Sequence, residues 1–145
     1  MTMKQSIKIL LLFCLTLLSA ICAGAGEISV TNPWIREAPP VAKMLAAYMT
    51  ISNNSNHRVH LESAASIDFE MVEIHRTVTQ EGMSHMMKQS SLQLEGGGNV
   101  TLEPGGYHLM LIKPKQFLKA GDKVKLQLNF DNGEAVDVTA VVRNQ

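Results

Sequence analysis

Four side chains able to hold a soft metal ion stand at fixed intervals in the sequence: His75, Met86, His108 and Met110. Imidazole is a borderline donor and thioether a soft one, so the set suits Cu(I), whereas zinc or magnesium prefers thiolate-, imidazole- or oxygen-rich sets. Thiolates are absent from the rest of the chain, because both cysteines, Cys14 and Cys22, lie within the first 25 residues. Beyond that leader, seven methionines and five histidines are the only soft or borderline donors. Disulfides, thiol catalysis and a blue-copper Cys-His-His site are thereby excluded.

The first two donors fall in a hairpin from Glu70 to Gln89. A four-residue loop, Thr79-Gln80-Glu81-Gly82, pairs Val78 with Met83 and predicts His75 opposite Met86 and Glu73 opposite Lys88. Cβ atoms in such a pair lie roughly 5 Å apart, close enough for both side chains to reach one ion. The other two donors are a His-x-Met on a single strand. Alternation places Tyr107, Leu109 and Leu111 on one face, and His108 and Met110 together on the other, outward face. The spacing of residues does not itself bring this strand to the hairpin. Met83, His85 and Met87 crowd the same hairpin as candidate auxiliary ligands, while His57 and His60 read as solvated residues beside a polar loop.

The elements that must position these donors are strands. Period-two alternation runs from Leu45 onward, with Leu45, Ala47, Met49 and Ile51 on one face, and no window long enough for an amphipathic helix interrupts it. Strands are predicted at 28–36, 45–52, 58–64, 68–76, 84–90, 100–103, 107–112, 123–130 and 135–142, the spacing of an all-β sandwich or Greek-key barrel. Asp131-Asn132-Gly133 predicts a three-residue hairpin loop with Gly133 left-handed, setting Leu128 against Val136 and Leu126 against Val138. Asn32-Pro33, Pro39-Pro40 and Gly96-Gly97-Gly98 read as loops, and Pro104-Gly105-Gly106 as a tight turn.

Residues 1–25 read as a secretory signal peptide: Lys4 and Lys8, an apolar run from Ile9 to Leu18, then small residues ending at Ala25, where cleavage is expected. A lipoprotein reading through Cys22 is disfavoured by the bulky Ile21 before it. The remaining domain, 26–145, carries 11 basic and 13 acidic residues, a net charge of −2 that offers no footing for nucleic acid. With no second apolar run, it is expected to be free of the membrane and periplasmic, its oligomeric state open.

The pattern H-x10-M-x21-H-x-M resembles that of the PCuA(C) periplasmic copper chaperone family. So do Trp34-Ile35-Arg36 with Pro39-Pro40, the run Ala47 to Asn53, Pro104 to Leu111, and Gly121-Asp122 before the last hairpin. The resemblance covers essentially the whole mature chain. It implies a cupredoxin-like fold, one Cu(I) held by His75, Met86, His108 and Met110, and delivery to copper-accepting proteins that assemble the dinuclear copper centre of cytochrome c oxidase. Catalysis is not expected, since no nucleophile elbow, zinc-protease helix motif or paired catalytic carboxylates appear. A copper-buffering or resistance protein with the same site, or a metal-free β-sandwich interaction module, are the alternatives. Some relatives carry a Met- and His-rich C-terminal extension that binds further copper. Here the sequence ends at Arg143-Asn144-Gln145, leaving Met83, His85 and Met87 as the substitute.

Overall fold

In a computed structural model, residues 26–144 are described; the predicted signal peptide, its cleavage point and Cys22 lie outside the described residues. Ten strands follow in chain order: β1 (Ile28–Arg36), β2 (Met44–Asn53), β3 (Val59–Ala65), β4 (Phe69–Gln80), β5 (Met83–Gln89), β6 (Leu92–Leu94), β7 (Asn99–Leu102), β8 (Tyr107–Pro114), β9 (Lys123–Phe130) and β10 (Ala135–Arg143). No helix occurs among the described residues. The fold is all-β and cupredoxin-like, a Greek-key sandwich made by one sheet, in the order β5-β4-β8-β7-β2-β1-β10-β9-β3-β6, folding over on itself.

The alternation that marked the strands also builds the core. Leu45, Ala47, Met49 and Ile51 from β2 meet Leu109 and Leu111 from β8, Leu126 and Leu128 from β9, and Ala140 and Val142 from β10, all buried. The β9–β10 hairpin has the expected register, Leu128 opposite Val136 and Leu126 opposite Val138, with Gly133 at φ 84°. Strand β6 escaped the sequence reading because only Leu92 and Leu94 carry its alternation. Asn32-Pro33 is a bulge within β1 rather than a loop. Asn32 sits at φ 51° where the register with β2 shifts, so that β1 runs antiparallel to β2 and also pairs in parallel with β10.

Two features of this sheet position the site. Strands β7 and β8 lie end to end along β2, which pairs with β7 through Met49–Ser52 and with β8 through Met44–Ala47. The turn between them has Pro104 in its first corner and Gly105 at φ 83°, closed by the Gly106 N–H donating to the Glu103 carbonyl at 3.0 Å. That is the arrangement a type II turn requires. Strand β8 then lies between β2 and β4, and this places its His-x-Met against the hairpin.

Candidate metal centre

The β4–β5 hairpin turns on two residues, not four. Glu81 at φ 51° and Gly82 at φ 78° both occupy the left-handed region, as a two-residue type I′ loop demands. Glycine takes this conformation freely; the strain at Glu81 is offset by two further rungs, Thr79–Ser84 and Gln80–Met83, and by a 3.1 Å bond between the Thr79 and Ser84 hydroxyls. The predicted register is therefore corrected by two residues: His75 faces Lys88, and Met86 faces Thr77. A shift of two preserves the face, so His75 and Met86 become diagonal neighbours, with Cβ atoms roughly 7 Å apart. The Glu73–Lys88 pair also survives as a diagonal contact, Lys88 Nζ donating to Glu73 Oε1 at 2.5 Å.

The approach of the two donor pairs comes from the β4–β8 ladder. His75 stands directly opposite His108 and Glu73 opposite Met110, while on the other side of β8 Met110 faces Ala46 of β2. Directly paired residues share a face, so all four donors lie on one side of the sheet. The two imidazole rings are 5.8 Å apart, centroid to centroid, and tilted by 47°. An ion at ~2.0 Å from a nitrogen of each ring sits ~3 Å from each centroid, so this separation fits one ion bridging both rings.

Burial divides the donors. His108 is 3% exposed, which corrects the expectation of an open outward face. Tyr48 covers it, its ring 6.4 Å from the imidazole, and Trp34 stacks on Tyr48 at 4.6 Å with the Arg36 guanidinium 5.9 Å over the Tyr48 ring. The His75 side chain is 14% exposed. Met86, by contrast, is 62% exposed, and Met110 is half-buried. Met86, His108 and Met110 line one open pocket of about 440 Å³, together with Met44, Ala46 and Tyr48. His75 is not in that lining and meets the group through His108.

The hydrogen bonds assign the ring nitrogens. His75 Nε2–H donates to Glu73 Oε2 at 2.8 Å, and His108 Nδ1–H donates to the Gly106 carbonyl at 3.2 Å. Each contact fixes one nitrogen as the protonated one and leaves a lone pair on the other. Those other atoms, His75 Nδ1 and His108 Nε2, are buried and without a hydrogen-bond partner among the described residues. A buried polar nitrogen left unpaired is costly, and a metal ion is one partner that satisfies it. Carboxylate and carbonyl acceptors behind ligating histidines are the usual outer support of a metal site.

Charge is arranged consistently with this. Burial pushes the His108 imidazole below its ordinary range, a displacement that the Gly106 bond opposes and nearby His75 reinforces, which keeps the ring neutral and its lone pair free. Glu73 is held below the usual carboxylate range by its bonds from Lys88 and then His75. No three of His, Cys, Asp and Glu gather into a metal-holding group among the described residues, and the other soft donors that line the pocket beside His108 are thioethers, Met86 and Met110 among them. Met83, His85 and Met87 pair with Gln80, Val78 and Arg76 and so face the opposite side of the hairpin, away from the pocket.

From the sequence Glu73 was only the expected partner of Lys88, and Tyr48 and Met44 had no assigned part in the site. Alternation in β2 did signal that Met44, Ala46 and Tyr48 point away from Leu45 and Ala47, but nothing local shows that β2 borders β8.

Comparison with known proteins gives the family and the fold. The LpqE-like lipoprotein family matches residues 28–142. The chain belongs to this family. An uncharacterized protein of Rickettsia prowazekii (strain Madrid E), RP573, is 31% identical over 123 residues, spanning 82% of this chain and 68% of that one. A lipoprotein of Leifsonia xyli subsp. xyli, Lxx21020, is 29% identical over 121 residues, 83% and 72% of the two chains. Among solved structures, the CuI form of DR1885 from Deinococcus radiodurans is 31% identical with a TM-score of 0.67, covering 85% of the LpqE-like chain and 84% of its own. The copper-bound PCuAC domain of PmoF2 has a TM-score of 0.71 at 23% identity, covering 83% and 95%, a likeness of fold. The LpqE-like chain is a PCuAC-type protein, as its motif led one to expect.

Proposed function

We propose that this protein is a non-catalytic copper chaperone working outside the cytoplasm, which carries one Cu(I) ion between His75, Met86, His108 and Met110. The observation that carries the reading is the pair of buried, unpartnered nitrogens, His75 Nδ1 and His108 Nε2, on rings 5.8 Å apart beside two thioethers. Support comes from the CuI form of DR1885, 31% identical over most of both chains. The chemistry agrees: two neutral imidazoles and two neutral thioethers suit a soft monovalent ion and hold it less permanently than thiolates. Delivery to the dinuclear copper centre of cytochrome c oxidase is the destination we propose. A periplasmic location follows from the secretory leader, and on this reading the mature chain begins at Gly26.

A competitive Cu(I) titration of residues 26–145 beside a His108→Ala, Met110→Ala double variant tests the site. One equivalent bound by the wild type and lost in the variant is the expected result; equal binding by both would overturn the assignment. Deleting the gene and assaying oxidase activity at low copper separates delivery from buffering. Unimpaired oxidase would leave storage or resistance as the role.

A further inference from the structure

The four proposed donors leave one thioether of the same pocket unused. Met44, the first residue of β2, lines that pocket together with Met86, His108 and Met110. The β2–β8 register explains why: Met44 pairs with Ile112 and Ala46 with Met110, so Met44 and Met110 are diagonal neighbours on one face, with Cβ atoms roughly 7 Å apart. Ala46, directly opposite Met110, contributes only a methyl group and leaves the space between them open.

Depth orders the donors by kind. His108 is 3% exposed and Met110 half-buried, whereas Met86 and Met44 stand 62% and 57% exposed at the pocket mouth. The His108 imidazole therefore lies inside and the flexible thioethers of Met86 and Met44 outside. The carboxylate in that lining, Glu37, is a hard oxygen donor that competes poorly with thioether for Cu(I), so the methionines set the path of an ion leaving the buried pair.

We propose that Met44 is a transit donor, a fifth thioether that takes hold of Cu(I) at the pocket mouth as His75 and His108 let go, and again on loading. The step is ligand substitution at one ion: a Cu–N bond to imidazole breaks as a Cu–S bond to Met44 forms, with no change of oxidation state and no proton transferred. The inference rests on the copper-carrier reading and extends it from holding to handover. Met44 is not needed for the resting site, so its loss acts on rates more than on equilibrium.

Met71 supplies the internal control. It is 49% exposed and occupies the same row across the sheet, on the far side of Ile112 from Met44, yet it does not line the pocket. Wild type, Met44→Leu and Met71→Leu are loaded with Cu(I), and transfer to a small chromogenic chelator is followed by stopped flow. A small chelator needs no docking surface, so a role for Met44 in partner contact alone leaves the rate unchanged. The expected result is transfer slowed roughly tenfold in Met44→Leu, with the equilibrium affinity changed less than about twofold and Met71→Leu behaving as wild type. Transfer from Met44→Leu at the wild-type rate overturns the proposal, as does an affinity loss as large as the rate loss, or equal slowing in Met71→Leu. Failure of the wild type to take up Cu(I) would instead overturn the carrier reading beneath it, and is visible before any rate is measured.

Discussion

The β9–β10 and β4–β5 hairpins are each held by seven paired rungs, yet they differ in almost everything else. Along β9 every second residue is buried, whereas six of the seven residues of β5 are exposed and the last is half-buried. The first hairpin lies between β1 and β3; the second ends the sheet, with β5 paired to β4 alone among the described residues. Equal lengths of paired ladder thus accompany very unequal burial, and burial is the larger contributor to stability. Cohesion resides in the β9–β10 hairpin. The proposed metal donors lie at the other end of the sheet, spread over β8, β4 and the exposed arm β5.

The division is tested most strongly by removing a core side chain. Leu128→Ala should cost about 2–5 kcal/mol in urea unfolding while the folded fraction binds Cu(I) unchanged. Met86→Ala should do the reverse, weakening Cu(I) binding by about 10- to 100-fold in a competition titration with a stability change within about 0.5 kcal/mol. If Met86→Ala proved as destabilising as Leu128→Ala, the contrast between the hairpins would collapse. Glu73→Gln keeps an acceptor for His75 but removes the charge; Cu(I) affinity should fall by about tenfold. Gly82→Ala, at φ 78° with open space around the new methyl, should destabilise by about 1 kcal/mol, read as faster amide exchange in β5 with none in β9.

Acid sharpens the same comparison. His108 lies below its unfolded value of about 6.5, so as pH falls past that value the unfolded chain takes up a proton that the folded one refuses, and stability is lost until the folded imidazole also titrates. Glu73 and Asp131 are likewise depressed, Asp131 by bonds from the His60 backbone and side chain, but their contributions are lost only as pH falls below the ordinary values of about 4.3 for glutamate and about 3.9 for aspartate. Between pH 6.5 and 5 the apo protein should therefore lose stability through His108. Urea midpoints for wild type and His108→Ala should converge over that interval; parallel lines would sink the assignment.

Strand positions were legible because period-two burial is a local signal, and the β9–β10 register followed from the loop chemistry of Asp131-Asn132-Gly133. The β4–β5 register was not, since Thr79-Gln80-Glu81-Gly82 suits either a two- or a four-residue loop and neither face of β5 is buried to arbitrate. The proposed donors were named from spacing and resemblance. That His75 faces His108 was not readable from local pattern, because β4 and β8 are separated by three strands in the sequence and meet only through the sheet order. The burial of His108 is non-local too: it depends on Tyr48 and on the Trp34 ring beyond it.

The place of β5 at the rim of the sheet has a consequence for how the molecule breathes. A rim strand with one neighbour detaches without disturbing any other pairing, so its opening free energy is a local quantity that sits well below that of global unfolding. Detachment of β5 would carry Met86 away and leave His108 and Met110 in place on β8. On the proposed ligand set the lifetime of a loaded site would depend on the fraying of seven rungs, and temperature or mild denaturant should shorten it long before the core melts.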